Sequence, residues 1–238
     1  MRKGLILAGG LGSRLSEETK VIPKALVKIG KKPIILHLIN YYQSFGYNDF
    51  IICLGYKGNL INDFFSKEKN KKYFKNLNIK LIKTGQKSFT GERIRRIKKY
   101  IKGDFFLTYC DGLSDIDLNK THNLFKKSKK IGLVSSVNPR SRFGVLSIDK
   151  KNNVLSFNEK DKSINTWINA GFFIFNKSIF RFIKGKNPIF ERRPLYDLTK
   201  KNQLVAYKHY GFWQCMDTLK DKMILNKIWS KQGAPWKK

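Results

Sequence analysis

Short apolar runs alternate along this chain with longer segments whose apolar residues recur every three or four positions. Asp49–Leu54 and Asp104–Tyr109 are apolar after their first residue, which is typical of strands buried on both faces. Apolar side chains in Ile34–Phe45 recur at helical spacing, which predicts an amphipathic helix. The same criteria predict strands at Gly4–Ala8, Ile79–Lys83 and Ile131–Val137, and helices at Asn59–Phe65, Gly91–Ile101 and Asp117–Ser128. This rhythm predicts an α/β fold with a mainly parallel sheet covered by helices on both faces.

The second half of the chain has shorter connections between its apolar runs. Its predicted strands are Phe143–Ile148, Val154–Asn158, Gly171–Asn176 and Leu204–Tyr207, and its predicted helices are Lys177–Ile183, Tyr196–Lys201 and Asp217–Ser230. Asp217 is placed to act as the N-cap or as a first-turn acid of the last helix. The chain contains no internal repeat and no long linker, so we expect residues 1–238 to form one domain.

The formal net charge of +32 favours partners that are anionic, which include nucleic acid, membranes and phosphorylated metabolites. The lysines are spread through nearly every segment, and the sequence shows no nucleic-acid-binding motif, so we expect no nucleic-acid partner. No apolar run approaches the roughly 18 residues of a membrane span, so we also expect no membrane partner. The three cysteines are widely separated and show no CxxC spacing, which fits a reducing cytoplasm better than a disulfide framework or a zinc site.

A glycine-rich segment, Leu7–Arg14, follows the first predicted strand. Ligands bind beyond the carboxyl ends of strands in open parallel sheets, and glycines allow backbone N–H groups to approach a phosphate. Arg14 adds a delocalised positive charge. The segment matches neither a Walker A loop nor the GxGxxG dinucleotide fingerprint, since Leu15 stands where the last glycine of that fingerprint would be. A plain strand-to-loop turn explains the glycines alone about as well.

The residues that follow give this segment a family context. Pro23-Lys24-Ala25-Leu26 and the turn Gly30-Lys31-Lys32-Pro33, taken with Leu7–Leu15, resemble the N-terminal signature of the sugar-phosphate nucleotidyltransferases. Thr84-Gly85, Thr90–Arg93 and Gly211–Leu219 (GFWQCMDTL) resemble the glucose-1-phosphate cytidylyltransferases in particular. Matching segments occur in the same order through almost the whole chain.

This resemblance implies a single nucleotidyltransferase domain with a Rossmann-like, mixed but mainly parallel sheet. It also implies transfer of a cytidylyl group from CTP to a sugar 1-phosphate, most simply glucose 1-phosphate, with release of pyrophosphate. Residues 1–137 would mainly bind the nucleotide, and residues 138–238 would mainly bind the sugar phosphate. The family commonly forms homo-oligomers and acts in the synthesis of surface polysaccharides or dideoxysugars.

The family's functional residues map onto positions spread along this sequence. The implied catalytic residues are Arg14, Lys24 and Asp111. The implied nucleotide-binding residues are Leu7, Ala8, Gly9, Gly10, Gly12, Ser13, Arg14, Lys24, Thr84, Gly85, Thr90, Arg93 and Asp111. Asp111 and Asp217 would hold Mg²⁺, whose preferred ligands are hard oxygens. The implied sugar-phosphate-binding residues are Gly144, Glu159, Lys160, Asn169 and Gly171.

Each of these residues also has a purely structural explanation. Asp111 could cap a turn after an apolar strand, Asp217 could cap a helix, and Lys24 is one of many lysines. Their order along the chain, rather than any single residue, favours the functional interpretation. Other nucleoside triphosphates or acceptors, a nucleotide-sensing module and a nucleic-acid-binding protein remain the alternatives.

The chain departs from the family pattern at three places. Ile22 and Ala25 stand where related sequences carry lysine and proline around the signature lysine. The stretch between Phe65 and Thr84 is shorter than in glucose-specific relatives. Glu92 replaces a glycine of the TGxR segment, which places an acid near the expected nucleotide.

Overall fold

Seven strands form the central sheet of the computed structural model, which describes residues 3–139, 145–158, 166–231 and 233–237. In chain order the strands are β1 (Lys3–Ala8), β2 (Lys28–Ile29), β3 (Lys32–Pro33), β4 (Asp49–Leu54), β5 (Asn78–Lys83), β6 (Phe105–Tyr109), β7 (Gly112–Ser114), β8 (Gly132–Val137), β9 (Val145–Ile148), β10 (Val154–Asn158), β11 (Ile168–Phe175), β12 (Leu204–His209) and β13 (Trp213–Cys215). The α-helices are α1 (Ser16–Thr19), α2 (Ile34–Gln43), α3 (Gly58–Ser66), α4 (Thr90–Arg96), α5 (Leu118–Ser128), α6 (Arg193–Lys200) and α7 (Leu219–Ser230). Short 3-10 helices occupy Ser13–Leu15, Lys24–Leu26, Glu68–Tyr73, Lys98–Tyr100 and Lys177–Arg181.

The order of strands in the central sheet is β12-β8-β11-β6-β1-β4-β5. β11 runs antiparallel to both of its neighbours, and every other pair is parallel. The predicted mixed, mainly parallel sheet flanked by helices is therefore confirmed. The carboxyl ends of β1, β4, β5 and β6 meet at one edge of the sheet, where the amino end of β11 also lies. Ligands of open α/β sheets bind at such an edge.

The side chains of the central strands divide between two apolar clusters, one on each face of the sheet. Ile6 and Phe106 belong to one cluster together with residues of α2, α5 and α7. Leu5 and Phe105 belong to the other, together with residues of α4 and α6. Successive side chains of a strand point to opposite faces. Continuous apolar runs are thus needed wherever both faces are covered, which is why these strands were visible in the sequence.

The first turn of α7 corrects the expectation for Asp217. The helix begins at Leu219, and Thr218 is its N-cap, with the Asp221 carboxylate completing a capping box. Asp217 therefore lies before the helix as neither cap nor first-turn acid, and its carboxylate is free to point elsewhere.

Two other predicted helices are shorter than their sequence patterns indicated. The apolar and basic pattern of Gly91–Ile101 is divided between α4, which ends at Arg96, and a separate 3-10 turn at Lys98–Tyr100. Lys177–Ile183 forms a 3-10 helix that ends at Arg181. None of the helices in the described part of the chain has the length and apolar character that a membrane span requires.

A buried histidine connects α2 to the last described residues. The backbone carbonyl of Ile29 lies 3.0 Å from Nε2 of His37, and Trp236 donates its indole N–H to Nδ1 at 3.2 Å. Nδ1 accepts in this arrangement, so the proton resides on Nε2 and the ring is neutral. Burial, with the nearby charge of Lys32, lowers the pKa of His37 below its ordinary value. Protonation would break the bond to Trp236.

We predict that the free energy of unfolding decreases as the pH falls below about 6.5, the ordinary pKa of histidine. The unfolded chain binds a proton at His37 in that range, whereas the folded chain resists it because the pKa is lowered. The substitution His37→Gln keeps a donor for Ile29 and removes the titration. Urea unfolding between pH 7.5 and 5.5 should show a shallower pH dependence for this variant. If the free energy of unfolding of His37→Gln depended on pH as steeply as that of the wild type, His37 would not be the group responsible.

Candidate active site

A cleft of about 580 Å³ opens at the carboxyl edge of the sheet. Most of the residues predicted from the sequence to form the site line it, and they are Leu7, Ala8, Gly9, Gly10, Gly12, Ser13, Arg14, Lys24, Thr90, Arg93, Asp111 and Asp217. One wall is the glycine-rich segment after β1, and the facing wall is residues 86–90. The volume falls in the range that small-molecule and cofactor sites occupy.

Lys24 joins the two aspartates at one end of this cleft. Its Nζ donates to Asp111 Oδ2 at 2.7 Å and to Asp217 Oδ1 at 2.8 Å. The other oxygen of Asp217 accepts from Arg14 Nη1 at 2.9 Å. The Lys24 side chain is only 11% exposed, whereas that of Arg14 is 74% exposed. Two cations and two carboxylates therefore form a group whose formal charges balance.

The ionisation of these groups follows from their mutual contacts. Burial by itself would lower the pKa of Lys24, but the charges and hydrogen bonds of Asp111 and Asp217 raise it above its ordinary value. Burial would raise the pKa of Asp217, and Lys24 and Arg14 more than offset this and lower it. Both groups are thus charged at neutral pH. Burial raises the pKa of the neighbouring Cys110 thiol to about 12, so it stays protonated there.

The backbone brings these three distant residues together through two local structures. β7 pairs with β13, so that Gly112 lies opposite Cys215, and Met216 donates its N–H to the Asp111 carbonyl at 2.8 Å. This ladder places Asp111 and Asp217 side by side. Lys24 begins a 3-10 turn directly after Pro23, which holds the chain extended and directs the turn into the cleft.

Arg93 organises the opposite end of the cleft. Its guanidinium is buried, and burial lowers its pKa although an arginine remains charged. It donates five hydrogen bonds, to the Thr84 hydroxyl and to the backbone carbonyls of Leu54, Gly85, Gly9 and Gln86. Arg93 therefore fixes the glycine-rich segment, the end of β4 and residues 84–86 relative to one another.

Two glycines owe their identity to this arginine. A Cβ atom added at Gly9 would lie 2.4 Å from Arg93 Cζ, and one added at Gly55 would lie 2.3 Å from Nη1. Real Cβ contacts are essentially never so short. Gly9 is thus required for the close passage of Arg93 as well as for any approach of a phosphate.

Thr84 and Gly85 lie behind the cleft rather than in its lining. Thr84 is fully buried, and its hydroxyl donates to the Leu54 carbonyl at 2.7 Å and accepts from Arg93. The side chain of Thr84, which the family resemblance assigns to nucleotide binding, thus supports Arg93 from behind the cleft. Gly85 has a φ of 88°, which favours glycine in this tight turn.

Glu92 does not face the nucleotide side, contrary to the expectation from its sequence position. Its carboxylate accepts from Arg95 Nη2 and from Arg96 Nε, the latter at 2.8 Å, on the outer surface of α4. The backbone of α4 contacts the neighbouring segment here, since the Glu92 N–H donates to the Pro188 carbonyl at 3.2 Å and a Cβ on Gly91 would lie 2.7 Å from the same oxygen.

The residues predicted for the sugar phosphate are only partly described. Asn169 accepts from the Gly171 N–H at 2.8 Å, and its side chain lies near the hydroxyl of Tyr109, a residue of the cleft lining. Gly171 has a φ of 80°, and a Cβ there would lie 2.7 Å from the Tyr109 ring. Both residues thus lie beside the cleft. Gly144, Glu159 and Lys160 lie outside the described residues.

A segment in the second half of the chain contacts the cleft and was not found by sequence reasoning. The Glu191 carboxylate accepts from the hydroxyls of Tyr109 and Thr90, both of which line the cleft, the second at 2.5 Å. Asn187 accepts from the Phe89 N–H at 2.8 Å. Glu191 thus connects Thr90, in the wall formed by residues 86–90, to β6, the strand that leads into Asp111. No local sequence signal identifies it, because its partners lie 82 and 101 residues away.

The cleft fits a divalent cation held jointly by protein and substrate. Within the described parts of the chain, the carboxylate oxygens of Asp111 and Asp217 form ion pairs or hydrogen bonds only with Lys24, Arg14 and the Cys215 thiol. Within the described residues, no group of three or more His, Cys, Asp or Glu side chains is arranged to hold a metal ion. Two carboxylates suit Mg²⁺, which usually keeps several waters and shares the oxygens of substrate phosphates.

Comparison with known proteins relates this chain, in both sequence and fold, to the nucleotidyl transferases. The sequence matches the nucleotidyl transferase family over residues 3–218. It is 41% identical over 254 residues to the glucose-1-phosphate cytidylyltransferase of Salmonella typhimurium, which covers 99% of this chain and 98% of that protein. The crystal structure of HddC from Yersinia pseudotuberculosis is similar with a TM-score of 0.72 and 26% identity, over 96% of this chain and 100% of that one. Apo-UDP-glucose pyrophosphorylase shares the fold, with a TM-score of 0.75 and 18% identity over 98% and 99% of the two chains.

We predict that Arg93→Lys destabilises the protein and weakens nucleotide binding. One ammonium cannot replace a planar fork that bonds five acceptors, and unsatisfied buried carbonyls cost about 1–3 kcal/mol each. Urea unfolding should show that the free energy of unfolding of Arg93→Lys is lower than that of the wild type by at least about 2 kcal/mol. The apparent KM of this variant for the nucleotide should rise. The exposed Arg181 provides a matched control as Arg181→Lys. If Arg93→Lys and Arg181→Lys had the same free energy of unfolding and the same KM for the nucleotide, the proposed role of Arg93 would be wrong.

We predict that Glu191→Ala raises KM for the nucleotide by up to about tenfold and changes kcat less, because it releases Tyr109 and Thr90 without removing a residue of the cleft lining. Combination with Tyr109→Phe should be non-additive, since the two residues share a hydrogen bond. Steady-state kinetics of the single and double variants measure this. Glu68→Ala, at an exposed acid, is the control. Additive effects would show that Glu191 does not act through Tyr109.

Proposed function

Because this chain belongs to the glucose-1-phosphate cytidylyltransferase family of nucleotidyl transferases, we propose that it joins CTP to glucose 1-phosphate and forms CDP-glucose and pyrophosphate. The observation that carries this proposal is the contact of Lys24 with both Asp111 and Asp217 at one end of a glycine-walled cleft. Such a group combines a cation for phosphate oxygens with two carboxylates for a metal ion. A nucleotide sensor has no need of this combination.

The triphosphate would lie along the glycine-rich segment after β1. Gly10 is exposed and has open space around its Cα, so that backbone N–H groups there can approach phosphate oxygens. Arg14 is mostly exposed and can turn from Asp217 to the β- and γ-phosphates. Lys24 would transfer its donors from the carboxylates to the phosphate where charge develops during transfer.

We assign Asp111 and Asp217 as the ligands of Mg²⁺. Their oxygens become available to a metal ion when Lys24 and Arg14 turn towards the phosphates. Mg²⁺ bound there would polarise the phosphate oxygens and neutralise their charge, which is its usual role in phosphate chemistry.

The acceptor would enter from the side of β11. Asn169 and Gly171 lie beside Tyr109 at that end of the cleft, and Gly144, Glu159 and Lys160 are assigned to the same subsite from the sequence. A phosphate oxygen of glucose 1-phosphate attacks the α-phosphorus of CTP, the bond from that phosphorus to the β-phosphate bridging oxygen breaks, and pyrophosphate leaves. No covalent enzyme intermediate is needed, so the protein contributes positioning and charge neutralisation.

The setting of the reaction follows from the family. We propose a cytoplasmic enzyme that assembles from several copies of this chain and supplies CDP-glucose for the synthesis of surface polysaccharide or dideoxysugars. The base and the sugar are the parts of the proposal that depend most on the family assignment, because the charged residues described above would serve any nucleoside triphosphate and any sugar 1-phosphate.

Pyrophosphate release measured with each nucleoside triphosphate, Mg²⁺ and a panel of sugar 1-phosphates tests the function. We expect the highest kcat/KM with CTP and glucose 1-phosphate. Faster turnover with UTP or dTTP would overturn the choice of cytosine, and faster turnover with another sugar would overturn the acceptor. A folded protein that turns over no combination would not be an enzyme of this type.

We predict that Asp111→Asn lowers kcat by at least about a hundredfold, a loss typical for removal of a group that stabilises transition-state charge. The amide preserves the shape of the side chain and Lys24 keeps its contact with Asp217, so the thermal unfolding temperature should fall only modestly. Asp104→Asn is the matched control, because that carboxylate makes an exposed ion pair with Lys126 away from the cleft. Near-normal turnover of Asp111→Asn would remove this residue from the metal site.

A further inference from the structure

A second cavity, of about 360 Å³, lies on the outer side of the segment that forms one wall of the catalytic cleft. It is an open cavity lined by Gly85, Lys87 and Ser88, by the outer surface of α4 and by residues 186–187. Lys87 and Ser88 line both cavities, so one short segment separates the two. None of the functional residues assigned above except Gly85 lines this second cavity.

Four cationic side chains face this outer cavity, and a single acid accompanies them. The cations are Lys87, Arg95, Arg96 and Lys186, and the acid is Glu92. Both carboxylate oxygens of Glu92 are already occupied, one by Arg95 and one by Arg96, and its side chain is only 10% exposed. The cavity therefore keeps a formal excess of three positive charges.

The glutamate that departs from the family pattern gives this site its geometry. Glu92 binds Arg95 Nη2 and Arg96 Nε, so both guanidinium groups are held in fixed directions before any ligand arrives. The Nη atoms of Arg96 make no hydrogen bond to any part of the protein that the structure describes, and its side chain is 50% exposed. Oriented guanidinium groups with spare donors suit the oxygens of a phosphate, which they bind in pairs.

The high net charge of the chain does not by itself produce such a cavity. Lysines on an open surface are mobile and hydrated, and they bind anions without a defined position. Here the segment under the cations is itself fixed, because Asn187 donates to the Lys87 carbonyl at 3.0 Å and accepts from the Phe89 N–H. The volume is also within the range of small-ligand sites.

We infer that this outer cavity binds a small phosphate-bearing anion, and that the bound anion competes with the catalytic cleft for Lys87. The binding itself does not depend on the reaction, whereas the competition rests on the proposed function. An anion held by Arg96 and Lys186 draws Lys87 outwards, because the lysine lines both cavities and can serve only one anion at a time. The triphosphate then loses one cation, and KM for CTP rises.

Calorimetric titration with inorganic phosphate tests the binding, with the whole chain at 0.15 M salt and its catalytic cleft filled by CDP-glucose. The test variant is Lys186→Glu, at an exposed residue that makes no hydrogen bond or ion pair within the described part of the chain. The matched control is Lys127→Glu on α5, which makes the same change of charge on a helix that contributes no residue to this cavity. We expect one saturable site per chain, at least about tenfold weaker in Lys186→Glu and within about twofold of wild type in Lys127→Glu.

Equal weakening in the two variants would mean that phosphate senses only the overall charge, and the proposed site would be wrong. Absence of saturable binding to the wild-type chain would also overturn it. In the kinetic arm, phosphate should raise KM for CTP more in wild type and Lys127→Glu than in Lys186→Glu, and an equal rise in all three would overturn the competition for Lys87. Failure of the chain to turn over CTP would refute the proposed function while the calorimetric comparison still decides the binding site.

Discussion

The contact of Lys24 with two aspartates is the interaction on which the arrangement of this protein depends. It joins residues 24, 111 and 217, which belong to the 3-10 turn after α1, the connection between β6 and β7, and the segment before α7. A buried charge is costly unless it is paired, so the strands and turns that carry these residues are held to positions in which the pairing is possible. The observed register of the β7–β13 ladder and the 3-10 turn at Lys24 together allow all three side chains to meet.

Arg93 has a corresponding effect on the other end of the cleft, and it changes how the glycine-rich segment should be understood. The segment is similar in composition to loops that bind phosphate through backbone N–H groups. However, Gly9 and Gly55 lie so close to the buried guanidinium of Arg93 that there is no space for a Cβ atom at either position. The glycine pattern thus records the packing of an arginine from α4 as well as access for a ligand. The packing of Arg93 and access for a ligand therefore both restrict which residues are tolerated in the glycine-rich segment. Either constraint alone would allow more substitutions there.

Sequence reasoning succeeded where the relevant physics is local and periodic. Asp49–Leu54 forms a strand with the predicted bounds, since a strand covered on both faces needs a continuous apolar run, which here follows Asp49. It failed where the direction of a side chain matters. Glu92 lies next to Arg93 in sequence but on the opposite surface of α4, and Thr84 turned out to support Arg93 from a buried position. Glu191 was not found at all, because contacts between residues about 100 positions apart produce no local sequence pattern.

The capping box of Thr218 and Asp221 can be recognised in the sequence. It would have shown that Asp217 precedes the last helix instead of belonging to it.

The balanced group of Lys24, Arg14 and the two aspartates has a consequence for the end of a catalytic cycle. In the proposed reaction, nucleotide binding would separate these internal ion pairs, so part of the attraction between protein and triphosphate would be offset by the pairs that are lost. As pyrophosphate departs, the same cations can return to the carboxylates at once, and no exposed charge is left to recapture the product. The carboxylates of Asp111 and Asp217 thus compete with pyrophosphate for Lys24 and Arg14. This competition favours rapid release of pyrophosphate over its tight binding.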